Sequence, residues 1–173
     1  MSNHSQNFWP FSVELYARDG VADACLELQN RFGVDVNLLL FCYWFADQYG
    51  ELDDELLEKL CLFSTSWKQQ VVQPLRDVRN WMKDNSPLLG LAQDSRYHTL
   101  RERIKFDELA AEKYQQESMQ GLVDNALKVR VRADSVSAAL SNAERMLVRV
   151  SIDADDSLRS RLSIIGDALR IEN

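Results

Sequence analysis

Basic residues recur at helical spacing near the middle of the chain, beside a tryptophan. They are Arg76, Arg79, Lys83 and Trp81. Steps of three and four residues place the three cations on one stripe of a helix, next to its apolar face. Residues 67–105 carry eight basic and four acidic side chains, whereas residues 1–66 carry three and eleven. The stripe therefore favours binding of an acidic protein partner or an anion, or else internal ion pairs with Glu108 and Glu112.

Aromatic residues supply a second candidate site. Tyr43, Trp44 and Trp67, joined by Trp9 and Trp81, fall on predicted helices, where they can line a pocket for a small apolar or anionic ligand. Aromatic side chains at helical spacing also build ordinary hydrophobic cores. The sequence leaves both alternatives open, with plain core as the preferred one.

Two acidic residues match part of a metal-binding motif, but the motif lacks its third carboxylate. Asp53 and Asp54 begin a D-D-x-x-D pattern, in which carboxylates one helical turn apart share a hard cation, but Leu57 occupies the third position. Acidic residues also suit the first turn of a helix, so capping is the preferred interpretation. The chain has no paired histidine or cysteine motif, no glycine-rich phosphate loop and no G-x-S-x-G sequence. We expect no metal ligand, no cofactor and no catalytic residue.

The cysteines bear on both reactivity and compartment. The chain has an odd number of cysteines, namely Cys25, Cys42 and Cys61, and each of them lies within an apolar helical pattern. Buried, reduced thiols in a cytoplasmic protein are therefore expected. Cys61 with His98 is a conceivable nucleophile–base couple, but an inert buried cysteine is preferred.

The elements that must position these residues are helices. Six glycines and three prolines among 173 residues argue against an all-β fold. Residues 38–46 are apolar or aromatic throughout, a run far shorter than the roughly 20 residues of a membrane span. Asp35 as the N-cap and Gly50 as the stop predict a helix over 36–49. Because that helix is apolar on nearly every side, it should be the buried centre of a compact helical bundle.

Further apolar stripes predict the neighbours of the central helix, including a helix kinked at Pro74 and a long helix over about 96–126. After residue 127 the chain lacks aromatic residues, and two short seams of apolar residues predict a C-terminal helical hairpin. We expect a bundle domain, 1–126, and a helical appendage, 127–173. The seams dock on their own bundle or, as preferred, on a second copy in a homodimer through residues 134–170. A short strand at 127–132 is also compatible with the pattern.

Three sequence blocks carry a resemblance to a known family. They are FW-x-FS (Phe8 to Ser12), CLELQ (Cys25 to Gln29) and G-x-DVNLLL-x-C-x-W (Gly33 to Trp44). Together they resemble a family of small uncharacterised, conserved hypothetical proteins from proteobacteria, most closely over residues 7–46 and less closely to about residue 125. The resemblance implies a bacterial, cytoplasmic, helical protein. It implies no activity and no catalytic residue.

Two functions of different class follow from the sequence. The lack of catalytic motifs, the tail seams and the uneven charge favour a non-catalytic adaptor or regulator, which binds a protein partner through the basic stripe or its C-terminal helices. The alternative is a bundle that binds, or acts as an enzyme on, a small apolar or anionic ligand in an aromatic pocket. A net charge of −7 argues against nucleic-acid binding, and no membrane association is expected. A cavity lined by Arg76 or Arg79 would favour the second function, and a filled core with an exposed stripe the first.

Overall fold

The computed structural model describes residues 7–126 and 135–170, and the elements in those ranges are all helical. In chain order they are α1 (Phe8–Tyr16), α2 (Val21–Phe32), α3 (Val36–Tyr49), α4 (Asp54–Trp67), a π-helical segment (Lys68–Val72), α5 (Gln73–Asn85), α6 (Ser95–Ala126), α7 (Ser135–Arg149) and α8 (Asp156–Leu169). The predicted all-α bundle with two C-terminal helices is confirmed. The strand considered at 127–132 lies outside the described residues. No helix in the described ranges is long and apolar enough to cross a bilayer.

Helix α3 lies at the centre of the bundle. Its ends match the predicted ones because Asp35 Oδ1 accepts hydrogen bonds from the N–H groups of Asn37 and Leu38, at 3.1 and 3.3 Å. At the other end Gly50 adopts a φ of 89°, which ends the helix. Residues 38–46 are all buried. A helix that is apolar on every side needs neighbours on every side, and α1, α6 and α7 are among those that pack against it.

Helices α7 and α8 contribute to the same hydrophobic core as α3. Among the described helices, α3 and α7 form the pair that packs most extensively. The buried side chains that the two C-terminal helices add to this core include Ala143, Met146, Leu147, Leu158 and Leu162. The seam predicted for a homodimer through 134–170 is thus packed within its own chain over the described part. This packing favours a single folding unit, and the division into 1–126 and 127–173 stays a prediction, as does the dimer.

A π-helical segment joins α4 to α5 without interrupting the helix. The N–H of Gln73 donates to the carbonyl of Lys68, five residues earlier, which defines the wider turn. Pro74 follows in the first turn of α5. The kink expected at Pro74 stays a prediction, and the structure shows a π turn immediately before this proline. Helix α5 then packs against this segment and against α6.

Candidate functional site

The basic stripe is paired internally over most of its length. Arg76 donates from Nε to Glu108 Oε1 at 2.9 Å and from Nη2 to Glu112 Oε1 at 2.5 Å. Arg79 donates to both carboxylate oxygens of Glu108. Of the three alternatives left open by the sequence, the internal ion pairs between α5 and α6 are observed, whereas binding of a protein partner or an anion stays a prediction. Lys83, the third cation of the stripe, is exposed, and the neighbouring Trp81 is 55% exposed.

The two glutamates of this cluster differ electrostatically. Burial opposes ionisation of Glu108, but hydrogen bonds from Arg79 and Arg76 hold its pKa below the ordinary value. For Glu112 burial dominates, and its pKa is raised despite the charge of Arg76. Glu108 is therefore a firmly ionised structural partner, whereas Glu112 holds its negative charge less strongly.

A cavity of about 320 Å³ opens between α1, the start of α3, α6 and the π-helical segment. We call it the α1–α6 cavity. The apolar part of the lining, which we call the apolar wall, consists of Trp9, Val13, Val36, Leu40, Val72 and Leu109. The polar part of the lining includes Tyr16, Lys68, Arg76 and Glu112. Arg76 therefore belongs both to the ion-pair cluster and to the cavity.

A network of partly buried hydrogen bonds, which we call the floor, joins Asp35, Asn37, Gln115 and Gln116 of the cavity lining. Asp35 Oδ2 accepts from Ser64 Oγ and from Gln115 Nε2, each at 2.8 Å. Asn37 donates to Gln115 Oε1 at 2.8 Å and accepts from Gln116 Nε2 at 2.8 Å. Mutually satisfied amides of this kind fix side-chain positions, so the floor is preorganised.

The same hydrogen-bond network extends to α1. It was not predicted from the sequence because it joins residues that lie far apart along the chain. Ser12 Oγ donates to Gln116 Oε1 at 2.9 Å. Asp35 was predicted as a helix cap, which it is, but its partners lie in α4 and α6, tens of residues away. The proximity of Asp35 and Asn37 within the DVN block is the one signal that the sequence offered.

Lys68 occupies the π-helical segment at the edge of the cavity. Its Nζ donates to the carbonyl of Gly33 at 2.8 Å. Burial lowers its pKa, with Asp35 opposing and Arg76 reinforcing the shift. Single π turns in α-helices occur frequently at functional sites, because they project a side chain that a regular helix would place elsewhere.

The aromatic residues predicted for a ligand pocket lie elsewhere. Tyr43 and Trp44 are fully buried, and the Tyr43 hydroxyl donates to the carbonyl of Leu162 at 2.8 Å. Trp67 is half-buried, with Nε1 donating to the carbonyl of Ala111 at 3.0 Å. None of these three lines the α1–α6 cavity, whereas Trp9 does.

The acidic residues at the starts of α4 and α8 act as helix caps or form ion pairs. Asp53 Oδ1 accepts from Leu56 N at 2.7 Å, which confirms the capping interpretation, and Asp54 pairs with Arg145 and Arg149 of α7 at 2.7 and 2.5 Å. Asp155 caps α8 in the same way. Within residues 7–126 and 135–170, no group of three or more His, Cys, Asp or Glu side chains is placed to hold a metal ion.

The three cysteines are free and buried, as predicted. Burial raises the pKa of Cys25 to about 12 and that of Cys61 to about 11. His98 is exposed, and its Nε2 lies 2.8 Å from the carbonyl oxygen of Ala92. Because the thiolate is the reactive form, all three thiols should react slowly with thiol reagents in the native protein, which a labelling time course checks.

Residues 7–119 match the model of a protein family described as a protein of unknown function, DUF2390. The chain belongs to this family. The matched range contains the whole cavity lining, from Trp9 to Gln116, and ends before α7 begins. No curated protein and no solved structure matched the chain.

The three blocks that carry the sequence resemblance meet at the α1–α6 cavity. FW-x-FS contributes Trp9 and Ser12, CLELQ contributes Gln29, and the DVN block contributes Asp35 and Asn37. These blocks lie on α1, on α2 and at the start of α3, so the fold brings them together from separate elements. The cavity is therefore the place where the three sequence blocks converge.

Proposed function

We propose that this protein binds a small organic molecule in the α1–α6 cavity. The observation that carries the proposal is the cavity itself, about 320 Å³ in volume, whose lining combines an apolar wall with polar groups that include Arg76. Small-molecule sites are typically concave, mostly apolar and of roughly 300–1,000 Å³, with a few placed polar groups that fix the ligand's orientation. A preorganised floor and the convergence of three family blocks support the same function.

Probe binding with a matched pair of cavity-closing variants tests the proposal. Val13 lines the cavity and is 52% exposed, whereas Leu26 is 45% exposed on α2 and is not part of the lining. Val13→Trp adds bulk at the mouth without burying it, and Leu26→Trp adds the same ring outside the site. The probe is phenylnaphthylamine, an uncharged fluorescent molecule with a largely apolar surface.

We expect saturable binding of phenylnaphthylamine to the wild-type protein. Val13→Trp should raise the Kd of the probe at least about tenfold, which corresponds to about 1.4 kcal/mol. Leu26→Trp should leave the Kd unchanged. Equal binding by both variants would place the probe elsewhere and contradict the proposed site. Absence of binding to the wild-type protein, both of this probe and of its anionic analogue anilinonaphthalene sulfonate, would contradict the function.

A second candidate, binding of a protein partner, is favoured by the exposed surface of α5 and its neighbouring loop. Trp81 is 55% exposed, Val78 48% and Leu88 83%, and Lys83 lies beside them. Because Arg76 and Arg79 are occupied by glutamates, the discriminating substitutions are Trp81→Ser and Lys83→Glu. Affinity purification from the native host should lose a specific acidic partner in these variants and retain it in Leu26→Ser. Identical captured proteins in all variants would remove this candidate.

The compartment and source are part of the proposal. Three free, buried thiols support a cytoplasmic location, since oxidising compartments favour disulfides. The sequence blocks within residues 7–46 support a proteobacterial source. Fractionation of native cells, with detection of the untagged protein, tests the location directly.

A further inference from the structure

We infer that the ligand of the α1–α6 cavity carries a single anionic head group, of the carboxylate class, on an apolar body, and that Lys68 and Arg76 bind this head group. The inference rests on the proposed small-molecule function and deepens it. It follows from which charged groups around the cavity are already committed to the fold and which retain hydrogen-bonding capacity.

Two carboxylates are largely committed to the fold: Asp35 of the cavity lining and Glu108 of the neighbouring ion-pair cluster. Asp35 accepts four hydrogen bonds, two from the backbone of α3 and two from Ser64 and Gln115. Glu108 accepts from both Arg76 and Arg79. A cationic ligand would have to compete with these internal donors, so neither carboxylate is suited to receive one.

The cations retain donors. A lysine ammonium carries three N–H groups, and Lys68 directs one of them to the carbonyl of Gly33. A guanidinium carries five, and Arg76 uses two for its bonds to Glu108 and Glu112. Both side chains line the cavity. Surplus donors on partly buried cations match an oxyanion, which accepts several charge-assisted hydrogen bonds at once.

Glu112 is the acidic group that an anionic ligand would meet. It bonds to Arg76 through Oε1, and it also faces the negative charges of Glu108 and Asp35. Burial raises its pKa, which reduces the cost of neutralising it when a second anion arrives. A ligand carboxylate can therefore take a share of Arg76 without a full charge repulsion from Glu112.

The apolar wall selects the body of the ligand. Trp9, Val13 and Leu109 line the same cavity as Lys68 and Arg76. An aromatic or branched aliphatic body of a few carbon atoms would cover this wall while the head group reaches Lys68. The expected ligand class is thus an aromatic or aliphatic acid.

Two fluorescent probes that differ by one charge test the inference. Anilinonaphthalene sulfonate carries a single anionic group, and phenylnaphthylamine is the same ring system without it. The variants are Lys68→Met, which removes the charge, and Lys68→Arg, which keeps it. The matched control is Lys59→Met, because Lys59 is an exposed lysine of α4 that pairs with Glu55 outside the cavity. Far-UV circular dichroism verifies that each variant is folded.

We expect the wild-type protein to bind the sulfonate more tightly than the neutral probe. Lys68→Met should weaken sulfonate binding about tenfold, the loss typical of one charge-assisted hydrogen bond, and leave the neutral probe within about twofold. Lys68→Arg should retain sulfonate binding, and Lys59→Met should change neither probe. Neutral-probe binding with no preference for the sulfonate, or sulfonate binding unaffected by Lys68→Met, would overturn the anionic head group while leaving the proposed function intact. Failure of both probes on the wild-type protein would overturn both.

Discussion

Asn142 on α7 offers a sharp test of how the C-terminal helices are held. Its side chain is fully buried, accepts from Leu52 N at 2.8 Å and donates to the carbonyl of Gly50 at 3.1 Å. Asn142→Ala leaves this N–H and this carbonyl without their partner. Each buried unsatisfied polar group costs about 1–3 kcal/mol, so we expect the two groups together to lower the free energy of unfolding by about 2–6 kcal/mol.

Urea denaturation followed by tryptophan fluorescence and far-UV circular dichroism measures this loss, and a thermal melt provides a second readout. A loss near 3 kcal/mol should lower Tm by roughly 6–12 °C in a protein of this size. The matched control is Val148→Ala on the same helix, because Val148 is 76% exposed and surface changes usually stay within about 0.5 kcal/mol. Equal midpoints for the two variants would refute the observed docking of α7 against the loop between α3 and α4.

Three further outcomes are expected. Truncation after Ala126 removes the helix that covers α3, so the remaining chain should lose cooperative unfolding in urea; a folded product would favour the two-domain division. Glu108→Gln removes the carboxylate that Arg76 and Arg79 share, and it should lower the free energy of unfolding in urea by about 2–4 kcal/mol. The exposed control Glu102→Gln should lower it by about 0.5 kcal/mol or less. The pKa of Asp54 is lowered by hydrogen bonds from α7 arginines, so its contribution to stability is present above its ordinary pKa and lost as pH falls through the lowered one. Asp54→Asn should therefore flatten the fall in unfolding free energy on acidification, and an unchanged slope would contradict this.

The central helix was predictable to the residue because its signals are local. Asp35 and Gly50 mark the two ends, and the run between them is apolar on every side, so no long-range information was needed. The long helix α6, predicted over about 96–126 and observed as Ser95–Ala126, was predictable for the same reason.

The cavity was not predictable, because it depends on which helices meet. Tyr43 and Trp44 were candidates for a pocket on residue type alone, yet their type signals burial and not a void, and they lie in packed core. The polar floor joins Asp35 and Gln115 across 80 positions of sequence. Such a pairing leaves no periodic trace, and the π-helical turn that places Lys68 has no sequence signature beyond the nearby proline.

The position of α7 on α3 has a consequence for biosynthesis. The apolar run 38–46 emerges from the ribosome early, but its principal cover, α7, ends at Arg149, about 100 residues later. At synthesis rates of about 5–20 residues per second, the nascent chain carries this run without its α7 cover for roughly 5–20 seconds. During that interval the segment is a natural target for chaperones that recognise exposed apolar helices, and cells that lack such factors should accumulate this protein in aggregates formed during translation.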